Sequence, residues 1–537
     1  MSIFKWTSLF GFILIPFWHY WYHRDYIGPI RQGGLSPIPN EVFMEIFKYL
    51  RPPDSNPWID PVYRRDFLRV ALVCRFFCSV MLPWIFESLE FAGKNPNGHF
   101  TLNHAPFCRN IIRGCKSART MATYVKRCSF SNWIQDEYES SPSWCNTEFQ
   151  ILYSRALAFM PNVEELKLTK ICINKYLLKS IMELKCLTSL SLDFCLIGEV
   201  KTKDIRKLST LRLKYLRFFG SPRPLRLSVN DDDDTLFISR FLCLDSLITM
   251  HSNCWPFVAR IAEQNCHLPL QELDISEVHD VGLLPKIFQK TPALEKLRIS
   301  SAATSKHDVQ FDDVLPALDE LCCPLFLLRS LVPGRPISSI KFTINSSKEI
   351  TDIQSLFKKS TRKIHSLCVP IHVYHSIPLW EHFPELKTLR LELFATRKFS
   401  STTKQSLKNV FANYFRIKFN TNSMQIVSSI SNAWPHNPPI QELHIDLCME
   451  QMDPFFDLEL QNKLISTVIS ARFPQVRRIS ISDNVVWNKV QEDDVWKPSL
   501  HILPLIWVAK RLRSGKVNFV DYDGFFEQIL STAAEFW

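Results

Sequence analysis

A short pattern, apolar-x-x-Leu-x-apolar, returns twelve times between residues 161 and 500, and it constrains the fold more than any other feature of the sequence. The central residues of the copies are Leu166, Leu190, Leu211, Leu247, Leu273, Leu297, Leu321, Ile340, Leu367, Leu389, Leu443 and Ile479. Eight of the eleven intervals between them are about 19–27 residues long, and the other three are longer. Near-constant spacing of this length indicates a repeat architecture, in which the three long intervals are insertions or missed copies.

The pattern predicts both a strand and a helix in each repeat. Alternation over about six residues predicts a short strand, and intervening stretches such as "NKYLLKSIMELK" (174–185) have helical periodicity. One such unit cannot bury its own core, but stacked units form a parallel sheet on the concave side and helices on the convex side. A conventional α/β crossover sheet is the alternative, although it would have longer and continuously apolar strands. We therefore predict an α/β solenoid over residues 161–500 and a C-terminal cap over 501–537.

The residue that follows the central position of each copy is predicted to point to the concave face. The candidate substrate-binding residues on this face are Lys167, Ser191, Asp274, Arg298, Lys341, Arg390 and His444. The concave surface is where solenoids usually bind their partners. The mixture of charge signs favours a protein partner over a uniformly charged polymer, while simple solvation remains the alternative for each residue.

Two amphipathic helices are predicted before the repeats. Asn40 is a plausible N-cap after Pro39. The apolar stripe of the first helix consists of Val42, Phe43, Ile46, Phe47 and Leu50. A second helix is predicted over Arg65–Met81, with Pro83 ending it before a short strand. Because both helices carry more apolar surface than they can cover for each other, we expect a partner surface or a docked neighbouring domain.

The segment Ile38–Leu50, followed by "FLRVALVCRFFCSVMLPWIFESLEF" (67–91), resembles an F-box of the fungal kind. Residues that stand in register with that family are Pro39, Glu41, Ile46, Phe47, Leu50, Val73, Cys74 and Arg75. Three features depart from the family pattern: Ile38 replaces a leucine, Phe77 replaces a tryptophan, and the loop at 51–65 is long. The resemblance covers about 50 residues, and residues 35–91 are assigned to it.

This resemblance implies that a Skp-type adaptor, and through it a cullin, covers the exposed apolar face. The adaptor-binding residues it implies are Pro39, Val42, Phe43, Ile46, Phe47, Leu50, Leu72, Cys74, Phe77 and Trp84. The repeats, which resemble the degenerate leucine-rich repeats of fungal F-box proteins, would then bind an unknown protein substrate of the ubiquitin ligase. The expected location is cytoplasmic, nuclear or both. The alternative is a leucine-rich-repeat scaffold without ligase function, either free or tethered to a membrane.

Two further segments carry composition signals. Residues 1–34 are rich in apolar and aromatic side chains, so residues 5–22 are either a tail or a membrane-interface segment. Residues 92–160 are a predicted basic linker and N-terminal cap, with no acidic residue between Glu90 and Asp136. The stretch Lys94–Arg127 is expected either to be a solvated basic face or to contact an acidic protein or an anionic membrane.

The sequence predicts that the protein is not an enzyme. It has only 13 glycines and contains no phosphate-binding loop motif and no hydrolase, zinc-protease or kinase motif. The 16 cysteines form no CxxC pair or zinc-finger spacing, so they are expected to be small buried side chains in a reducing compartment. The acidic run Asn230–Thr235 does not match an EF-hand loop and is read as a solvated loop. We expect no metal, no cofactor and no nucleic-acid partner.

Overall fold

The computed structural model describes residues 40–49, 67–93, 104–133, 144–197, 200, 202–220, 242–303, 311, 314–343, 359–370, 383–393, 439–447, 461–463, 465–481, 485–489 and 495–500. The chain divides into two compact units, Met1–Leu270 and Gln271–Trp537. Several predictions fall outside the described residues: Pro39, Leu50, the segments 1–34 and 501–537, and the acidic run at 230–235. Within the described residues, no helix has the length and apolar character needed to cross a membrane.

The described residues of the first unit form eight strands. They are β1 (Ser88–Ala92), β2 (Arg127–Ser131), β3 (Glu165–Thr169), β4 (Cys172–Ile173), β5 (Ser189–Asp193), β6 (Leu196–Ile197), β7 (Tyr215–Phe219) and β8 (Thr249–Ser252). Six of them form a parallel ladder in the order β1-β2-β3-β5-β7-β8, and β4 pairs with β6 in parallel. The ladder begins at Ser88, so β1 lies at the end of the segment that resembles an F-box.

In the second unit, the part of the chain that the structure describes forms ten strands. They are β9 (Glu272–Val278), β10 (Lys296–Ala302), β11 (Glu320–Pro324), β12 (Ser339–Thr343), β13 (Ser366–Pro370), β14 (Thr388–Leu393), β15 (Glu442–Leu447), β16 (Arg478–Ile481), β17 (Val485–Lys489) and β18 (Trp496–Leu500). From β9 to β16 each strand pairs in parallel with the next. The last two strands are antiparallel, which differs from the predicted all-parallel array.

Short helices connect many of the strands. The α-helices are α1 (Asn40–Tyr49), α2 (Arg75–Phe86), α3 (Ala105–Arg113), α4 (Lys116–Ala122), α5 (Trp144–Leu157), α6 (Lys175–Glu183), α7 (Thr202–Ile205), α8 (Trp255–Ala259), α9 (Leu284–Lys290), α10 (Leu325–Leu331) and α11 (Ser470–Arg472). Arg206–Thr210, Arg260–Glu263 and Val281–Leu283 form 3-10 turns, and Ile465–Ile469 forms a π-helical turn. Helix α5 packs between α3 and α6, which gives the first unit a helical layer.

The predicted central positions form the buried seam of both ladders. In the second unit, eight of them, from Leu273 to Ile479, occupy one register position on consecutive strands. In the first unit, Leu166 and Leu190 face each other in the same way. All ten side chains are almost fully buried. Removing a leucine side chain from water is worth roughly 1.5–3 kcal/mol, so this one position repeated along the sheet supplies much of the driving force for folding.

Two of the twelve predicted positions were misplaced. Leu216 faces Leu190, and Met250 faces Leu216, so these two residues continue the seam. Leu211 and Leu247 precede the strands. The error has a physical cause, because "LSTLRLK" and "YLRFFG" both satisfy the apolar alternation, and only strand pairing decides between them. Leu211 and Leu247 are nevertheless buried, since they close the turns that lead into β7 and β8.

The long intervals in the repeat are insertions and not missed copies. Strand β14 pairs directly with β15, and β15 pairs directly with β16, although 54 and 36 residues separate their central positions. In the first unit β7 and β8 are likewise neighbours in the ladder. The seam also extends to β1 and β2, which the repeat pattern did not include, because Leu89 and Cys128 occupy the same register position as Leu166.

Local sequence explains where the helices begin and end. The predicted helix in 174–185 is confirmed as α6: Asn174 caps it, and its side-chain oxygen accepts hydrogen bonds from the amides of Tyr176 and Leu177. Helix α3 begins with Pro106 in its first turn and ends at Gly114, whose φ of 83° is the left-handed conformation that glycine adopts without strain.

The N-terminal helices form a small helical module over residues 40–49 and 67–86. The second predicted helix is not continuous, because residues 72–73 form a turn and Cys74 caps α2. Pro83 does not end α2 either, since it lies inside the helix. Helix α2 leads directly into β1, and the backbone carbonyl of Glu87 accepts hydrogen bonds from the amides of Lys126 and Arg127. The module is therefore attached to the first strand pair without a linker.

The side chain of Arg335 joins three parts of the second unit. Its guanidinium donates hydrogen bonds to the backbone carbonyls of Val314, Ser330, Leu331, Pro333 and Phe311. The residue is almost fully buried. Because Leu331 is the last residue of α10, the same cation also satisfies carbonyls at a helix C-terminus, which favours positive charge there.

We expect Arg335→Lys to lower the free energy of unfolding by about 2–3 kcal/mol, because an ammonium group cannot reach all of these carbonyls and several would be left unpaired. Urea denaturation followed by tryptophan fluorescence measures the change. The matched control is Arg362→Lys, an exposed arginine paired with Asp319, which should change stability by less than about 0.5 kcal/mol. Equal effects of the two variants would contradict a structural role for Arg335.

Candidate functional site

The seven residues predicted for the concave face share one register position within each unit. In the first unit Lys167 and Ser191 are paired neighbours. In the second unit Asp274 pairs with Arg298, and Arg390 pairs with His444. Lys341 lies between these two pairs in the same ladder position. Their contact with a substrate remains a prediction, but the structure aligns them in the way that the repeat pattern required.

The structure adds residues to this face that the sequence reasoning missed. Arg217 and His251 continue the register position in the first unit. Cys322, Cys368 and Ser480 fill the gaps in the second unit. The signal for Cys322 and Cys368 was present, because each follows the central leucine of a copy. Arg217 and His251 could not be found, since the two preceding copies were assigned to Leu211 and Leu247.

The second unit has a groove of about 500 Å³ along this face. Three polar uncharged side chains line the groove: Ser339, Ser366 and Thr388. They occupy the same register position on β12, β13 and β14. Lys341 and Arg390 line the same groove. Its lining is therefore polar and charged, which suits a polar protein surface better than an apolar small molecule.

Ion pairs that cross between strands hold the charged side chains of this groove. Lys341 bonds to the carboxylate of Glu392, and Arg390 bonds to that of Asp446. Arg298 lies 3.2 Å from Asp274 on the neighbouring strand. In a further pair, Lys296 Nζ is 3.2 Å from the carboxylate of Glu320. These pairs fix the positions of the cations before any partner arrives.

Two thiols flank Lys341 in the ladder. Cys322 and Cys368 are its register partners on either side, and both are buried. Burial raises the pKa of each thiol, and the carboxylate of Glu392 raises the pKa of Cys368 further. Both thiols therefore stay protonated at neutral pH and act as small apolar side chains. This agrees with the predicted role of the cysteines at these two positions, whereas Cys115, Cys186 and Cys266 are exposed and depart from it.

The face of the first unit is more aromatic. Arg217 Nε is 3.0 Å from the carboxylate of Asp193, and the Arg217 guanidinium lies 4.6 Å from the centre of the Phe219 ring. The rings of Tyr215 and His251 are 5.4 Å apart. Lys167 has no ion-pair partner among the described residues. Within the described part of the chain, no cluster of three or more His, Cys, Asp or Glu side chains could hold a metal ion.

The predicted adaptor-binding residues divide into interior and surface positions. Phe47 is buried in the core of the helical module, and the Phe77 ring packs edge-on 5.0 Å from Phe43 and 4.9 Å from Phe47. Trp84 packs 5.4 Å from Phe67 in the same cluster. Cys74 is half-buried, and its sulfur caps α2 by accepting a hydrogen bond from the Phe77 amide.

The surface positions of the module are Val42, Ile46 and Leu72, which are exposed together with Met44 and Val73. Phe77, which stands where the F-box pattern has tryptophan, contributes to the interior of the module. Having phenylalanine in place of tryptophan at this position therefore affects the packing inside the module before it affects any partner surface.

The predicted basic stretch is partly structural. Arg109, Arg113, Lys116 and Lys126 are exposed. Arg119 is different, because its Nε donates a hydrogen bond to the carbonyl of Ile111 and its guanidinium lies 4.0 Å from the centre of the Phe159 ring. This cation fastens α4 to α3 and is not available as part of a free basic surface.

Comparisons with known proteins add little to this description. No protein-family model matches the sequence, and no curated protein matches it either. Among solved structures, the chain is similar to an internalin (inlF) from Listeria monocytogenes at 13% identity, covering 87% of this chain and 96% of that chain with a TM-score of 0.26. The leucine-rich-repeat description rests on the parallel ladders and their shared leucine position.

We expect Glu392→Gln to lower the free energy of unfolding by about 1–2 kcal/mol, because it leaves the half-buried Lys341 ammonium without its carboxylate. Urea denaturation measures the loss. In the control, Glu385→Gln breaks the exposed pair with Lys363 and should cost less than about 0.5 kcal/mol. A Glu392 variant as stable as the control would show that the groove pairs do not hold the face.

Charge reversal in the basic stretch should separate Arg119 from its neighbours. Arg119→Glu should lower the free energy of unfolding by about 1–2 kcal/mol, because it removes a backbone hydrogen bond and a cation–π contact. Arg113→Glu should change it by only tenths of a kcal/mol, as exposed substitutions usually do. Thermal denaturation of both variants tests this, and an equal loss would contradict the difference.

Proposed function

We propose that this protein is the substrate-recognition subunit of a Skp–cullin–F-box type ubiquitin ligase. The helical module would bind the adaptor, and the concave face of the repeats would bind a protein substrate. One observation carries the proposal: the module has a folded aromatic interior and, on its surface, a concentration of exposed aliphatic side chains.

The distribution of exposed apolar side chains supports an interface on this module. Of the eight large hydrophobic residues that are exposed among the described residues, five lie in the module: Val42, Met44, Ile46, Leu72 and Val73. Val42 is 44% exposed, Ile46 is 49% exposed and Val73 is 66% exposed. Clustered exposed apolar residues mark interaction sites, whereas the other three are scattered singly.

The interior of the module shows why these side chains are available to a partner. Phe43, Phe47 and Phe77 already contact each other, so the helices fold around their own aromatic core. Val42 and Ile46 are four residues apart and therefore lie on one face of α1, outside that core. Leu72 and Val73 lie in the turn before α2. This separation leaves an aliphatic surface that a partner can cover without unfolding the module.

The groove of the second unit supports the substrate-binding half of the proposal. Its cations are held by strand-crossing ion pairs, so a partner meets a preorganised polar surface and does not have to order mobile lysines first. Such a surface selects partners by matching charge position, which gives specificity more than raw affinity.

A second candidate function is an interaction scaffold without ligase activity. The departure at Phe77 favours it, because that position differs from the F-box pattern and now serves the interior of the module. Capture of the cullin together with the adaptor separates the two candidates. A membrane-tethered form of the scaffold would depend on residues 5–22, and carbonate extraction of membranes tests it.

The test of the adaptor site is the double substitution Val42→Asp/Ile46→Asp. It should abolish capture of a purified Skp-type adaptor, because two charges would be buried at the interface without partners. A pull-down with the full-length chain measures capture. Circular dichroism and the thermal unfolding midpoint should stay close to those of the unaltered chain, since both positions are exposed.

The matched control is Tyr176→Asp/Val495→Asp, which places two charges at exposed apolar positions outside the module. This control should capture the adaptor normally. If the Val42→Asp/Ile46→Asp variant still captures the adaptor, the ligase assignment is contradicted and the scaffold is favoured. The same holds if the unaltered chain does not capture the adaptor at all.

A further inference from the structure

Three consecutive strands of the first unit end in the same unusual backbone conformation. Asn132, Lys170 and Phe194 directly follow β2, β3 and β5, and their φ values are 57°, 50° and 55°. Each uses its amide in the same way: Asn132 donates to Thr169, Lys170 donates to Asp193, and Phe194 donates to Phe219. Because parallel strands end at one edge, these residues form a row with a spacing of about 5 Å between neighbours.

Phe194 is the unexpected member of this row. Asparagine is among the residues that enter the left-handed region readily, whereas a bulky residue there is a genuine outlier. The side chain is nevertheless 39% exposed. Among the described residues, no other aromatic ring and no cation packs against the Phe194 ring. The chain therefore holds a large aromatic side chain at a strained position without burying it fully, and such outliers are found at functional sites.

The surroundings of Phe194 are basic. Lys170 is its neighbour in the row, and Lys167 lies three residues earlier, on β3. Within the described residues neither lysine has an ion-pair partner. Arg217 on the next strand is partly exposed and is paired with Asp193, whose carboxylate is buried. Counted over the described residues of this row and of the C-terminal halves of β3, β5 and β7 beside it, Lys167, Lys170 and Arg217 outnumber the buried carboxylate of Asp193, which gives a local excess of positive charge.

We propose that Phe194 is the anchor of a second contact site, which binds an acidic segment of a protein partner. This inference rests on the proposed function, because it assigns a substrate chemistry to the repeats. The Phe194 ring would pack on an apolar side chain of the partner, and carboxylates on either side of that side chain would pair with Lys167 and Lys170. A desolvated aromatic residue with a charged rim is the usual composition of an interface hot spot.

The aromatic arrangement favours a peptide over a single-stranded nucleic acid. Nucleic-acid strands bind through several exposed rings on which successive bases stack. Here the neighbouring ring, Phe219, is already covered by the Arg217 guanidinium at 4.6 Å. The row offers one open ring between cations, which matches a single apolar anchor flanked by acids.

Fluorescence anisotropy of the full-length chain tests the site with three probes: a glutamate-rich peptide with a central leucine, the same peptide with glutamines, and a short oligothymidylate. The acidic peptide should bind at least tenfold more tightly than the glutamine peptide. Phe194→Ser should weaken it at least tenfold. The matched control Tyr176→Ser removes an aromatic side chain of nearly equal exposure (37%) from ordinary helical backbone, and it should change nothing.

A second variant keeps the test decisive if Phe194→Ser folds poorly. Lys170→Glu changes an exposed side chain, and it should weaken the acidic peptide while leaving the glutamine peptide unaffected. Lys185→Glu, another exposed lysine of the same unit, is its control. Four outcomes would overturn the proposal. In the first two, the acidic peptide fails to bind or binds no more tightly than the glutamine peptide. In the other two, the oligothymidylate binds more tightly or the Lys170 variant behaves like its control.

The outcome is independent of the adaptor test. Phe194→Ser should still capture the Skp-type adaptor, and Val42→Asp/Ile46→Asp should still bind the acidic peptide. Loss of adaptor capture alone would remove the ligase assignment and leave this contact site standing. Loss of peptide binding alone would remove the site and leave the ligase assignment in place.

Discussion

The burial of one apolar side chain against its copies on neighbouring strands is the interaction on which the structure depends. Leu297 illustrates it, because it lies between Leu273 and Leu321 in the ladder and is almost fully buried. A single repeat has nothing to cover this side chain, so its stability comes from its neighbours. The same dependence fixes the register, since a shift by one residue would turn the leucine out and a charged side chain in. The register fixed by the buried leucines therefore also aligns the residues of the exposed face.

The sequence predicted the seam well and the exposed contacts poorly, for different physical reasons. A buried position repeated at a near-constant interval leaves a periodic trace, which is why Leu273 to Ile479 were placed correctly. The trace fails where two overlapping stretches fit the pattern, as at Leu211 and Leu216, or where the seam residue is atypical, as at Cys128. The pair Lys341–Glu392 joins positions 51 residues apart. No spacing rule predicts it, because the lengths of the intervening segments vary.

The helical module shows a related limit. Its first helix was predicted correctly, but an amphipathic stripe does not say which of its residues are covered from within the module. Phe43 and Phe47 were expected at the partner surface, but the structure buries Phe47 in the core and packs the partly buried Phe43 and Phe77 against it. The turn at 72–73 breaks what looked like one helix, since a helical period continues through "VALVCRFF" in sequence while the backbone does not. Hydrophobicity identified the element, and packing decided the role of each side chain.

The direct pairing of β14 with β15 has a consequence for how the chain folds. Closing a loop of 54 residues in place of one of 24 costs only about 0.7 kcal/mol of additional chain entropy, because the cost rises with the logarithm of loop length. An insertion between repeats is therefore tolerated at equilibrium but lengthens the search for the next strand. We expect folding to nucleate in the closely spaced run from β9 to β14, where successive strands are near in sequence, and to reach β15 and β16 last. The evenness of the spacing, more than the depth of burial, would then determine which end of this unit forms first.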